Sequence, residues 1–175
     1  IYPLLYTFTI AFYDETSEFY IPFSLNVFNS LVTEERFLKN VYHTIFLTFF
    51  TTSISFVLGI FLAYCLDQIK FGKSIFLVIL ISPLAIMPVV AALTWRTMFN
   101  PLYGILNSIL KYFGFEGLEW VTDTSSALTW ITVVDIWQWT PFCLLLIYAG
   151  LKTIPVDIKE SASLDGINSF KELIY

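Results

Sequence analysis

Asp135 is the one charged residue of a long apolar run, Leu128 to Leu151, where it sits inside WITVVDIWQW with Trp137, Gln138 and Trp139 close behind it. A carboxylate and an amide offer hydrogen bonds to hydroxyl groups, and indole rings offer flat apolar faces. Together they could hold a polar, ring-shaped ligand such as a sugar. The plainer reading of the tryptophans is as anchors near the end of a membrane span. A carboxylate inside a span costs about 2.5–3.5 kcal/mol on insertion scales, so Asp135 needs a compensating environment. Three environments fit: an ion pair with Arg96 at the end of the preceding apolar run, the lining of a water-filled path, or exposure near the outer interface.

Other chemistry is weakly supported. Gly72 to Ser74 reads GKS, like the end of a phosphate-binding loop, but the full pattern requires a glycine where this chain has Asp67. It also requires a preceding strand and room for a nucleotide, so Lys73 reads better as a positive-inside anchor. His43 is the only histidine and is expected at a helix entrance; no zinc or haem site and no other metal site is expected. Cys65 and Cys143 lie in apolar runs without metal-ligand spacing or a disulfide framework, and read as small apolar filler. The hydroxyls of TFFTTSISF fit close helix packing before they fit a pathway.

The elements that must carry these residues are membrane spans. The chain is 57% hydrophobic and only 13% charged, with a mean hydropathy of +0.75, which places it in a membrane. The net charge of −5 comes with no basic patch, so nucleic acid is not an expected partner. Residues 40–66 contain no Asp, Glu, Lys or Arg, and neither do residues 74–95. At 1.5 Å per residue each is long enough to cross a hydrocarbon core of about 30 Å. Spans are expected at about 43–66, 74–96 and 128–151, with the end of another over 1–12. Pro83 and Pro88 predict a bent helix for the middle one.

The chain opens inside an apolar run and stops in mid-pattern, so truncation at both ends is expected and a signal peptide cannot be judged. The link 67–74 and the tail 152–175 together hold five lysines, a higher basic density than the opposite loops, which places them in the cytoplasm. Between Asn100 and Val121 the spacing of Ile105, Ile109, Leu110 and Phe113 predicts a short amphipathic helix lying on the membrane or on the protein, stopped by Phe-Gly and Glu-Gly. A helical lead-in with Phe37, Leu38 and Val41 on one face is expected before the second span.

The cytoplasmic tail is the polar exception. Pro155 suits a first helical position, Asp157 complements the helix dipole, and Gly166 after Asp165 suits a left-handed stop. Ser169 and Glu172 then have capping-box spacing. The pattern is helix, glycine turn, helix, and a hairpin lying on the membrane surface would satisfy it without any further function.

AGLKTIP, Ala149 to Pro155, followed by ESASLDG, Glu160 to Gly166, resembles the cytoplasmic signature of permease subunits of binding-protein-dependent ABC importers. Glu160, Ala162, Asp165 and Gly166 match that signature, Ser161 stands for its first alanine and Ile167 for a later one. Phe71 to Asn107 also resembles the carbohydrate-uptake branch, which includes maltose and glycerol-phosphate permeases. The resemblance implies an all-α polytopic transmembrane permease, with residues 1–175 as one transmembrane domain lacking most of its first span and its last two. It implies a second permease subunit, two ABC ATPase subunits that bind ATP and Mg, an extracytoplasmic solute-binding protein, and residence among the lipids of the bacterial inner membrane.

This chain would itself be no enzyme and carry no cofactor. It would contribute Glu160, Ser161, Ala162, Asp165 and Gly166 to a loop, within 152–175, that docks on the ATPase. Asp135, Trp137, Gln138 and Trp139 are the residues read as lining the solute path. The alternatives are an ion-coupled secondary transporter, for which Asp135 is the sole charge within the complete spans, and a non-transporting membrane scaffold.

Overall fold

A computed structural model describes residues 2–11 and 26–155. Among these residues the chain forms helices and no strands: α1 (Tyr2–Ala11), α2 (Asn26–Thr33), α3 (Glu35–Gln68), α4 (Lys73–Ala85), α5 (Pro88–Met98), α6 (Ile105–Tyr112) and α7 (Ala127–Thr153). The chain divides into two compact units, Ile1–Phe46 and Leu47–Tyr175. Helices α3 and α7 are each long and apolar enough to cross a membrane, and α4 with α5 adds a third candidate if the pair counts as one broken span. Glu160, Ser161, Ala162, Asp165 and Gly166 lie outside the described residues.

In the first unit, the expected helical lead-in is present as α2 and the opening turns of α3. Phe37, Leu38 and Val41 belong to the opening turns of α3 and are exposed. Glu35 and Lys39 pair at 2.9 Å across one turn. His43 therefore lies well inside a helix and not at its entrance, because Glu35 already starts the helical hydrogen bonding two turns earlier. Its ring tilts against Tyr42, with centroids 6.0 Å apart.

The second unit is organised by a stripe on α3. Thr51, Ser55, Gly59 and Ala63 recur every four residues, which puts them on one helix face, and all four are buried. Small residues let helix backbones approach closely where lipid gives no hydrophobic drive for association. A Cβ added at Gly59 would fall 2.7 Å from Cys143 Cβ and 3.0 Å from the backbone of α7. Cys143 thus fills the contact opposite Gly59. One turn earlier the Ser55 hydroxyl points at the carbonyl of Ile136, 3.5 Å away. The fully buried Ala63, Leu66 and Leu144 continue the seam, with Leu77 and Leu80 of α4 and Ile147 and Leu151 of α7 packed around them.

The prolines act more strongly than the expected bend. The chain breaks at Ile86 and Met87, and α4 and α5 meet at 93°. Proline disfavours helical backbone in the residue before it and lacks an N–H, so Met87 is extended (φ −57°, ψ 134°) and α5 starts at Pro88. The break leaves the Ile86 carbonyl outside a helix, and Gln138 of α7 donates to it from Nε2 at 3.1 Å.

Between α5 and α7 the chain is pinned by one side chain. Asn107 of α6 is 2% exposed. Its Nδ2 donates to the carbonyls of Pro101 (3.2 Å) and Leu118 (3.0 Å), while its Oδ1 accepts from Leu118 N (3.0 Å) and Trp120 Nε1 (2.7 Å). The full capacity of a buried amide is used. Trp120 in turn packs among Phe99 and Trp130, with centroids 5.5 and 4.6 Å away. Gly104 is required where the chain enters α6, since a Cβ would run into the carbonyl oxygens of Asn100 and Met98. Gly114 ends the helix in the left-handed region (φ 82°). Phe115 N bonds to Leu110 O and Gly114 N to Lys111 O, which satisfies the last carbonyls. The expected amphipathic helix is present, but Ile105, Ile109 and Phe113 are exposed while Gly104 and Asn107 face the protein. Its apolar side points outward.

Two substitutions test this packing. Gly59→Leu is expected to cost roughly 1–3 kcal/mol by forcing α3 and α7 apart. Gly150→Leu, with nothing within 4 Å of the added carbon, serves as the neutral control in the same unfolding titration. Asn107→Leu should cost about 1–3 kcal/mol for each buried group left unpaired and accelerate amide exchange between residues 100 and 121; unchanged exchange would remove Asn107 as the pin.

Candidate functional site

Asp135 sits about two turns beyond the start of α7 and lines two cavities, each of about 360 Å³. The first is bounded by Arg96, Trp95 and Phe99 from the α5 side and by Asp135 and Gln138 from α7. The second lies against α3, with Thr48, Thr51, Thr52 and Ser55 facing Asp135 and Trp139. The carboxylate is the residue the two spaces share.

Both walls are set by features already described. The break at Pro88 swings α5 so that Trp95, Arg96 and Phe99 come alongside the first half of α7, and Trp95 stands edge-on to Trp137 with centroids 5.4 Å apart. The small-residue stripe holds the hydroxyls of α3 against the other side of α7. The Thr51 hydroxyl is buried and has no hydrogen-bond partner among the described residues. Thr140 and Thr132 instead bond back to the carbonyls of Ile136 and Leu128 on their own helix, at 2.6 and 2.7 Å.

Of the residues read from the sequence, the structure brings Asp135 and Gln138 to the first cavity and Asp135 and Trp139 to the second. Trp137 belongs to neither and lines a third space with Pro83 and Pro141. The Arg96–Asp135 ion pair does not form. Both side chains line the first cavity, but no N–O distance between them falls within 4 Å, because the cavity stands between α5 and this stretch of α7. Gln138 has a structural duty as well, through its bond to Ile86. Among the described residues no group of three or more His, Cys, Asp or Glu could hold a metal ion.

A second polar cluster joins the last turns of α3 and α7 to the first of α4. Asp67 Oδ1 accepts from Lys152 Nζ at 2.5 Å and lies 3.7 Å from Lys73 Nζ. Lys73 also donates to the Asp67 main-chain carbonyl at 3.2 Å. The two ammonium groups lie 5.5 and 5.3 Å from the centroid of the Tyr148 ring. Sequence reading treated Lys73 as a separate anchor and missed this convergence. The available signal was an acidic residue closing one span, with lysines opening the next and closing the last.

The described residues thus form an apolar helical bundle with one carboxylate between two cavities. No family model matches the chain. It is 30% identical over 175 residues to the trehalose/maltose transport system permease protein MalF of Thermococcus litoralis, covering 98% of this chain and 59% of that protein. It is 32% identical over 165 residues to the xylose/arabinose import permease protein XacH of Haloferax volcanii, covering 92% of this chain and 52% of that one. The chain thus spans between half and three-fifths of the length of these relatives. Its fold matches the crystal structure of a bacterial ABC transporter involved in the import of the acidic polysaccharide alginate, with a TM-score of 0.83 and 20% identity over 97% of this chain and 58% of that one. The chain is homologous to the permeases of carbohydrate ABC transporters, in agreement with the resemblance carried by its sequence motifs.

Proposed function

We propose that this chain is part of a permease subunit of an ATP-driven importer, and that it lines the membrane path for a sugar or sugar-like solute. The similarity to sugar permeases across nearly the whole chain carries the reading. The position of Asp135 supports it: a carboxylate facing two cavities, near a guanidinium and several hydroxyls, offers acceptors and donors for a polyhydroxylated ligand. Trp139, 47% exposed, adds an aromatic face beside the second cavity. Trp137 contributes by holding Trp95 in place.

In this reading residues 152–175 form the cytoplasmic loop that docks on a partner ATPase, which binds ATP and Mg. Glu160 offers a charge to a basic residue there, Ser161 and Ala162 allow close approach, and Asp165 with Gly166 makes the turn. A second permease subunit completes the path, an extracytoplasmic binding protein delivers the solute, and the assembly resides in the cytoplasmic membrane. ATPase closure reaches the path as a rigid-body movement through α7. One of the solved relatives was captured with an alginate pentasaccharide-bound periplasmic protein.

Solute-stimulated ATP hydrolysis by the reconstituted complex tests the assignment. Gly166→Pro and Glu160→Lys are expected to abolish stimulation or ATPase capture; full stimulation and capture in both would return 160–170 to a surface hairpin. Asp135→Asn is expected to lower uptake roughly tenfold or more, the scale of losing a charged hydrogen-bond partner. Wild-type uptake at equal expression would take Asp135 off the path.

A further inference from the structure

We propose that Asp67, Lys73, Lys152 and Tyr148 are positioning residues that clasp the ends of α3, α4 and α7 into one block, so that a movement imposed on the segment after Thr153 reaches all three helices together. The proposal rests on the importer reading above and adds to it a part of the coupling machinery that lies at the membrane end of the docking segment, apart from residues 160–166.

The geometry brings three elements onto one acceptor. Asp67 lies in the last turn of α3, Lys73 is the first residue of α4, and Lys152 lies in the last turn of α7. The Asp67 side chain is 22% exposed and takes Lys152 directly, while Lys73 is held both by its carboxylate and by its main-chain carbonyl. Two cations on one carboxylate would repel, and the Tyr148 ring lies near both ammonium groups, where an aromatic face offsets that repulsion. Gly72, in the left-handed region (φ 72°), lets the short link turn so that Lys73 faces back toward α3.

Beneath the charges the contact is apolar and close. Ala63, Leu66 and Leu144 are fully buried, and Tyr148 and Leu151 pack on them from α7. An apolar core resists separation of the helices but permits sliding and rotation about their axes. A directed ion pair fixes which turn of α7 stands beside which turn of α3. Half-exposed ion pairs add little to folding stability, so the register of these three ends, and not the stability of the bundle, is what the clasp supplies. Lys152 is the first residue of the proposed docking segment and still belongs to the last turn of α7. A push on that loop therefore meets Lys152 before any other charged side chain of α7.

The test uses the assembled transporter in vesicles, with solute uptake and ATP hydrolysis measured on the same preparation. Lys152→Met and Asp67→Asn are expected to lower the solute moved per ATP by about threefold or more while the complex still co-purifies, and the double variant should be no worse than either single one. Asp67→Glu and Lys152→Arg, which keep the charges, should retain the wild-type ratio. A purely structural role would instead reduce assembled complex and leave the ratio of what remains unchanged, and that result would overturn the clasp. So would losses in the two single variants that simply add. Wild-type vesicles without ATP-dependent uptake would overturn the importer reading and the clasp with it, an outcome distinct from normal wild-type transport with insensitive variants.

Discussion

The arrangement depends on how closely α7 can approach α3 at Gly59. In a bilayer the lipid is as apolar as the helix, so packing of fitted surfaces has to hold the helices together. A hydrogen in place of a side chain at Gly59 brings Cys143 and its backbone into contact, and Thr51, Ser55 and Ala63 extend the fit along the same face. That approach fixes two distant consequences on α7. Toward its start, Asp135 comes to face the hydroxyls of Thr48 and Thr51; at its end, Lys152 comes within reach of Asp67. A bulkier residue at position 59 would disturb both while touching neither.

Irregular backbone is tolerated at membrane depth only where its polar groups are satisfied inside the protein. The break between α4 and α5 meets that condition through Gln138, which explains why an amide stands beside Asp135 independently of any ligand. Pro141 removes the donor that the carbonyl four residues earlier would receive. In the same turn the hydroxyls of Thr140 and Ser55 converge on the Ile136 carbonyl and supply polar contact around the irregularity. Asn107 does the equivalent for the segment between α5 and α7.

The apolar runs free of charge made the membrane class and the all-helical fold legible, because a span of about 20 apolar residues has few other readings. Helix α6 was legible from its spacing, and its Phe-Gly stop from the need for a left-handed residue. Its orientation was not: an apolar stripe is expected to face the core in water, whereas next to a bilayer it can face outward, and Asn107 turned inward instead. The prolines signalled a distortion, but its size depended on Ile86 and Met87 both being extended and on a partner from α7, neither of which is written locally. Arg96 and Asp135 were complementary in charge and plausible in depth, yet the cavity between them is a property of three-dimensional packing. For the Asp67 cluster, three residues far apart in sequence met at one carboxylate, a convergence that spacing along one chain segment cannot express.

Asp135 and Lys152 stand on the same helix, separated by roughly 25 Å at 1.5 Å per residue. A helix transmits rotation and translation along its axis as long as its hydrogen bonds hold, and α7 has one interruption on the way, at Pro141. Pro141 is buried, and it lies just before the Gly59–Cys143 contact, where α7 is pressed most closely to its neighbour. The weak point of the helix is thus next to its best-supported point. Movement at the Lys152 end would therefore reach Asp135 with α7 held against α3 on both sides of the proline, and not as a local bend absorbed there. The Gly59 contact holds the two helices together at mid-length, and the charges around Asp67 hold them at the end that is pushed.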